Sequence, residues 1–170
     1  MRPDSSEFAP YYAGYVALVP DGDIAEILTE QIEDTTERLR RATPEQEVSR
    51  YAEGKWSVRE ALGHLVETER MFASRALWFA REPDSELPGM DQDGWVRMAG
   101  HHARTVGDHL EEWAHVRRST VALLRGLPEG SLERAGVASG VRFTVRAFFW
   151  IVAGHELHHR DLFAERYGIS

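Results

Sequence analysis

The chain has 170 residues, no cysteine and a formal net charge of −8 at pH 7. This length corresponds to one domain with a substantial core. The absence of cysteine excludes disulfides, zinc fingers, iron–sulfur ligation and a cysteine nucleophile. The acidic charge argues against a nucleic-acid partner, which needs a basic surface.

The N-terminal sequence "MRPDSSEFAP" has neither the basic start nor the apolar block of a secretory signal. The longest apolar run, residues 147–153, is too short to span a membrane. We therefore expect a cytoplasmic protein with no membrane partner. Residues 1–22 show no clear periodicity and are interpreted as an N-terminal arm, in which "YYAGYVALV" is a short extended piece or packs on the body. Residues 23–170 are predicted to form the folded domain.

Four amphipathic helices are predicted in this domain, near residues 23–42, 57–81, 105–126 and 145–167. Their start signals are an Asp at position 23, a Ser-x-x-Glu capping box at Ser57 and a Thr at position 144. Pro44, Pro83 and Pro128 are expected to lie beyond the first three helix ends, and Gly168 beyond the fourth. The sequence predicts an all-α, four-helix bundle.

The connections carry weaker signals. The Pro-, Gly- and Asp-rich segment "EPDSELPGMDQDG" is predicted to be a loop, and Trp95–Met98 to form one separate turn. The segment "RAGVASGVRFT" has two short β-prone pieces around Ser139-Gly140, which predict a small β-hairpin before the last helix.

The last helix places histidines in its apolar stripe. Phe148, Val152, His155, His159 and Leu162 follow one another at spacings of four, three, four and three. Burying an imidazole without a partner costs about 1–3 kcal/mol, and a metal ion would relieve this cost for two histidines four residues apart. His158 is expected to point to one side, although a pair of His155 and His158 is geometrically feasible.

A third ligand would have to come from another helix, and the second predicted helix offers His64. A single histidine on an apolar face is more often a core residue hydrogen-bonded to a neighbour, so this alternative stays open. The small residues Gly63 and Gly154 precede His64 and His155 and could leave room for a close backbone or a substrate. The remaining histidines lie in or near a charged stretch and are expected to be solvated: His101, His102, His109 and His115.

Two motifs, "GKWSVREALGHLVETER" and "VAGHELHHRDLFAERYG", resemble the DinB-like (DinB/YfiT) family of four-helix-bundle metalloproteins. The resemblance covers roughly Asp23 to Gly168. It implies that His64, His155 and His159 bind a divalent ion such as zinc or nickel, with water completing the shell. It also implies chemistry with low-molecular-weight thiols, as transfer or isomerisation. Thiol-dependent maleylpyruvate isomerases of this kind carry an extra C-terminal domain, which argues against that activity here.

Three neutral histidines and a water would form an open, catalytic type of metal shell. Such a shell suits thiol transfer and hydrolysis equally. Glu67 is the candidate general base. Glu156 could orient an imidazole. A glutamate at either position is more often a solvated surface carboxylate. We expect a metal-dependent thiol transferase or hydrolase that acts on a small electrophile in detoxification or stress metabolism. The alternative is a non-catalytic binding or stress-response module that the metal only braces.

Aromatic residues outside the core stripe suggest a homodimer, because clustered exposed aromatics often mark contacts. The candidates are Tyr11, Tyr12, Trp78 and Phe79. The alternative is that they only pack the N-terminal arm.

Overall fold

The computed structural model describes all residues from Met1 to Ser170. Its helices are α1 (Ala13–Leu18), α2 (Ile24–Leu39), α3 (Pro44–Val48), α4 (Val58–Arg81), α5 (Gln92–Ala99), α6 (Val106–Arg125) and α7 (Val145–Tyr167). The strands are β1 (Glu86–Leu87), β2 (Ala135–Ala138) and β3 (Val141–Thr144). Single 3-10 turns lie at Ser5–Glu7, Pro10–Tyr12 and His101–Ala103.

The long helices α2, α4, α6 and α7 form the predicted four-helix bundle. Both α4 and α2 pack against α6 and α7, so α2 and α4 occupy opposite corners. Local caps determine the helix starts: Asp23 accepts hydrogen bonds from two backbone amides of α2, and Ser57 forms a complete capping box with Glu60. The largest boundary difference is at the end of α2, which stops at Leu39 rather than residue 42. None of the helices combines the length and the apolar composition that a membrane crossing requires.

Several weakly signalled segments are more regular than predicted. Residues 10–18 are helical, so the extended interpretation of the arm is wrong. Pro44 begins α3 rather than simply following a helix, because proline fits the first helical turn. The loop after Pro83 contains β1, and the single turn predicted at Trp95 is the eight-residue helix α5.

The predicted hairpin is present and belongs to a three-stranded sheet. Strands β2 and β3 are antiparallel, and Ser139 and Gly140 connect them with φ values of 54° and 76°. Positive φ at both positions is typical of a two-residue hairpin turn. Strand β1 adds to β2 in parallel orientation. The sheet covers one end of the bundle, where the ring of Phe79 lies against Gly136.

The core consists of two apolar clusters along the bundle. One contains Phe72, Phe79 and the apolar residues of α7 between Val145 and Ala153, and the other contains Phe163 and the apolar residues of α4 between Val58 and Val66. Buried polar side chains lie between and around these clusters: Gln31, Thr35, His64, Thr68, Glu69, Arg117, His155, Glu156 and His159. The bundle therefore contains a polar layer in its interior.

The aromatic residues named for a dimer contact differ in exposure. Phe79 is fully buried in the core, which corrects its assignment as an outward-facing residue. Tyr12 packs edge-on against Phe72 and Phe143 at ring distances of 5.8 Å and 5.7 Å. Only Tyr11 and Trp78 are exposed.

Glu7 connects the N-terminal segment to the start of α7. Its carboxylate accepts hydrogen bonds from Nε and Nη2 of Arg146, both at 2.6 Å, and from the Thr144 hydroxyl at 2.7 Å. Burial alone would raise the pKa of Glu7, but the hydrogen bonds from Arg146, the Asp4 backbone and Thr144 outweigh it and lower the pKa to about 2. The ionised carboxylate therefore stabilises the folded chain.

We expect Glu7→Gln to lower the free energy of unfolding at neutral pH. Because the pKa of Glu7 falls from an ordinary value of 4.5 to about 2 on folding, its stabilisation is fully present above pH 4.5 and is lost as the pH falls through this range. The unfolding free energies of wild type and Glu7→Gln, measured with urea, should therefore become equal as the pH approaches 2. If the difference in unfolding free energy stayed constant across this pH range, the ionised Glu7 carboxylate would not be its cause. Glu37→Gln, in an exposed ion pair with Arg41, is the control and should change little.

Candidate metal centre

Three histidine side chains meet in the polar layer, two from α7 and one from α4. Nε2 of His155 lies 3.2 Å from Nε2 of His64 and 3.0 Å from Nε2 of His159. One ligand atom from each of the three residues lies within 4.8 Å of the others, and all three residues are buried. The structure thus brings together the three histidines that the sequence motifs single out.

The three imidazoles are neutral at neutral pH. Burial, with a smaller effect of nearby His101, lowers the pKa of His64 to about 4. Burial and then the neighbouring histidines hold the pKa of His155 and of His159 well below the ordinary value. Each ring therefore keeps a nitrogen lone pair free for a ligand or a proton donor.

Contacts from α4, from the segment before it and from α1 orient the His64 and His155 rings. The Thr68 hydroxyl lies 3.2 Å from Nδ1 of His64, one helical turn away, and the Trp56 ring lies 4.6 Å from the His64 ring. The Tyr15 ring lies 5.4 Å from the ring of His155 and 5.0 Å from that of His158. His158 is half-buried and points to the side of the cluster, as expected.

Gly154 allows α1 to come this close to α7. A Cβ atom at position 154 would lie 1.9 Å from the backbone oxygen of Tyr15. The chain therefore needs glycine here for a backbone contact, one of the two uses that its position before His155 suggests.

We expect Gly154→Ala to destabilise the protein by about 1–3 kcal/mol, the usual cost of forcing extra volume into a packed site. Helix α1 would have to move, and the Tyr15 ring would leave the histidines. Thermal unfolding and the tyrosine fluorescence would report the two effects. Gly14→Ala in α1, where a Cβ would meet nothing within 4 Å, is the matched control. Equal stability of both variants would refute the close contact.

His101 and His109 form a second, smaller group and are not solvated. Both are buried, with ring centroids 5.1 Å apart, which corrects the sequence expectation. Gly63 makes room for the His101 ring, because a Cβ at position 63 would lie 2.3 Å from it. His102 and His115 are exposed, as expected.

The two candidate carboxylates do not contact the clustered ring nitrogens. Glu67 is half-buried with Oε2 3.6 Å from Nε2 of His101, so its proposed role as a general base stays a prediction. Glu156 is fully buried rather than on the surface, which corrects its interpretation as a surface carboxylate. It accepts a hydrogen bond from the Thr35 hydroxyl, while its Oε2 has no partner, and burial raises its pKa to about 7.

Two cavities reach the three histidines from different sides. A small one of about 80 Å³ is bordered by His64 and His155, with the tyrosines of the N-terminal segment on its wall. A larger one of about 350 Å³ is bordered by His158 and His159, with Lys55 and Trp56 nearby. Gln92, at the start of α5, borders both cavities. The histidine cluster is therefore accessible although its residues are buried.

The fold and the site together define a class, the four-helix bundle with a buried three-histidine cluster at the contact of two of its long helices. The chain belongs to the DinB superfamily, whose family model matches residues 27–162. The family resemblance of the two histidine motifs is thereby confirmed.

Two solved structures have similar folds. One is YfiT from Bacillus subtilis, described as a probable metal-dependent hydrolase with an unusual four-helix bundle topology. Its TM-score is 0.71 at 18% identity, with 100% of this chain and 95% of that chain covered. The other is a mycothiol-dependent maleylpyruvate isomerase, with a TM-score of 0.69 at 9% identity over 91% of this chain. This chain spans only 63% of that isomerase. No curated protein matches the sequence.

Proposed function

We propose that the protein is a metal-dependent hydrolase of a small molecule and that His64, His155 and His159 hold one divalent ion. The observation that carries this proposal is the accessible cluster of three neutral, buried ring nitrogens. A metal that only braced a bundle would not need cavities on two sides of its ligands. The hydrolase described for YfiT, which this chain covers almost completely, supports the same class.

The donor set fits such an ion. Two nitrogens bound tetrahedrally to one zinc ion at about 2.1 Å are about 3.4 Å apart, close to the separations of 3.2 Å and 3.0 Å between the Nε2 atoms. Imidazole ligands suit zinc and nickel. Such an ion supplies Lewis acidity and a lowered pKa for water.

The chain itself positions the imidazole rings and excludes bulk water from them. The Thr68 hydroxyl restrains the His64 ring, and the aromatic rings of Trp56 and Tyr15 limit how the imidazoles can turn. Burial keeps bulk water away except through the two cavities. Since the sequence has no cysteine, an attacking thiol has to come from a second substrate.

Thiol transfer is the second candidate, and the two separate cavities favour it. A reaction between a thiol cosubstrate and an electrophile needs two binding spaces at one centre. The larger cavity, of about 350 Å³, offers the space for a thiol beside His159. The mycothiol dependence of the similar isomerase points in the same direction.

The test compares wild type, His64→Ala and His102→Ala, each incubated with zinc or nickel and assayed for bound metal. Each is then given p-nitrophenyl acetate alone, and an aryl chloride with glutathione, bacillithiol or mycothiol. We expect metal-dependent turnover by wild type and His102→Ala, whose histidine is exposed, and loss of turnover in His64→Ala. Turnover that requires a thiol would select transfer over hydrolysis. If the protein bound metal but turned over no combination of electrophile and nucleophile, the result would favour a non-catalytic module in which the metal only stabilises the bundle.

Two broader proposals concern physiology and assembly. We propose a role in detoxification or stress metabolism, which a growth comparison of a deletion strain under electrophile stress would test. We also propose a homodimer, now through Tyr11 and Trp78 only. Light scattering that shows a monomer at high micromolar concentration would refute the homodimer.

A further inference from the structure

Arg75 is a buried arginine without a carboxylate partner. Only 6% of its surface is exposed, and no Asp or Glu oxygen lies within 4 Å of its guanidinium. Its one hydrogen bond runs from Nη2 to the carbonyl oxygen of Pro88 at 2.6 Å. The other buried arginine, Arg117, has its charge compensated by Glu69 at 2.8 Å.

Besides a more open cavity of about 550 Å³ that also borders Glu67 and Pro88, Arg75 borders the small cavity at the histidine cluster. This cavity is bordered by Arg75 at one end and by His64 and His155 at the other. No acidic side chain borders it, although the chain as a whole carries a net charge of −8. The cavity is therefore locally cationic in an acidic protein.

An uncompensated buried charge is unfavourable, and no carboxylate of the chain offsets it here. Burial lowers the pKa of Arg75, and the nearby Tyr12 only partly opposes this effect. Nε and Nη1 are not among the fully enclosed atoms without a partner. These N–H groups are therefore not fully enclosed and are free to bind a molecule in a cavity that Arg75 borders.

The helix aligns the arginine with the candidate metal centre. His64, Thr68, Met71 and Arg75 follow one another on α4 at spacings of four, three and four, and all four border the cavity. Helical side chains lean toward the N-terminus, so the long Arg75 side chain leans toward His64. A ligand bound at the guanidinium would extend toward the histidines.

We propose that Arg75 binds the carboxylate of a short-chain organic acid, which is the substrate class of the site. A guanidinium matches a carboxylate with two parallel hydrogen bonds. A single arginine compensates one negative charge, which favours a carboxylate over a doubly charged phosphate. The volume of about 80 Å³ and the apolar Met71 and Phe72 on the wall select a small acid with a short apolar chain. This inference names the substrate class of the hydrolase proposed above and rests on that proposal for the reaction.

The test measures binding of butyrate and of its neutral analogue butyramide to the full chain, both with zinc and without it. We expect butyrate, but not butyramide, to shift one arginine Nε–H resonance in a saturable way, and that resonance to be missing in Arg75→Met. Arg75→Met should weaken butyrate binding by about ten- to hundredfold, and Arg75→Lys by less. Arg81→Met removes an exposed arginine from the same helix and should leave binding unchanged.

The outcomes for the two proposals are separable. Equal affinity for butyrate and butyramide, or an equal loss in Arg75→Met and Arg81→Met, would overturn the assignment of Arg75. Zinc uptake, measured on the same samples, should be the same in wild type and Arg75→Met. Failure of zinc uptake in wild type would overturn the metal site, whereas the butyrate measurements on the metal-free chain would still decide the role of Arg75.

Discussion

Replacement of His64, His155 or His159 by alanine is expected to weaken zinc binding by about 150-fold. Structural zinc sites with four ligands bind with about 10–16 kcal/mol, which is roughly 3 kcal/mol per ligand, and 1.4 kcal/mol corresponds to tenfold in affinity. The three residues contribute adjacent Nε2 atoms, so each loss removes one donor of the same set. Competition with a chromogenic chelator would measure the affinities.

His158→Ala is the matched control, because this histidine lies next to His159 on the same helix. Its ring faces Tyr15 at 5.0 Å, and its nitrogens are outside the group of converging ligand atoms. We expect its zinc affinity to stay close to that of wild type. A large loss in His158→Ala together with no loss in His159→Ala would mean that the ion uses the other histidine pair.

The second large effect is expected at the buried ion pair between Arg117 and Glu69. Nε of Arg117 donates to Glu69 at 2.8 Å, and its Nη1 donates to Gln31 at 2.7 Å. Trp113 also donates to Glu69, at 3.2 Å. Glu69→Gln would leave a fully buried guanidinium without its counter-charge. We expect this to cost about 3–5 kcal/mol of unfolding free energy, a large part of the typical total of about 5–15 kcal/mol.

The double variant Glu69→Gln with Arg117→Met separates charge from packing. Because it leaves no unpaired charge, its destabilisation should be smaller than the sum of the two single changes. Urea unfolding of the four proteins completes the cycle. If the losses of unfolding free energy in the two single variants added up to the loss in the double variant, Glu69 and Arg117 would not be strongly coupled. The exposed pair of Arg41 and Glu37 should give a coupling below about 1 kcal/mol in the same cycle.

The bundle was predictable from the sequence because its signals are local. The caps at Asp23, Ser57 and Thr144 act within three residues, and each one begins a helix at or next to the predicted position. The hairpin at Ser139-Gly140 depends on its own two turn residues in the same way. The histidine spacing on one helix likewise predicts which rings share a face.

Features that depend on distant contacts were not predictable from these patterns. His101 is buried because Gly63, on another element, leaves space for its ring. Glu156 faces Thr35 of α2, although its neighbours in sequence give no such indication. Arg75 lies on a helix with several other arginines, and only the fold shows that it lacks a carboxylate partner. Helical periodicity describes the face of one helix, whereas burial of a single polar group depends on what packs against that face.

The wall of the small cavity combines residues from two parts of the chain. The histidines lie within residues 27–162, the region that matches the superfamily, whereas Tyr11, Tyr12 and Tyr15 precede it. Main-chain contact at Gly154 and the hydrogen bonds that Glu7 accepts from Arg146 and Thr144 hold the segment with these tyrosines on the bundle. Among the tyrosines that border the cavity, Tyr12 also contributes to the attachment because it packs on Phe72 and Phe143, whereas Tyr11 is exposed. Substitution of Tyr11 would therefore change the cavity wall without removing the contacts that attach the segment to the bundle.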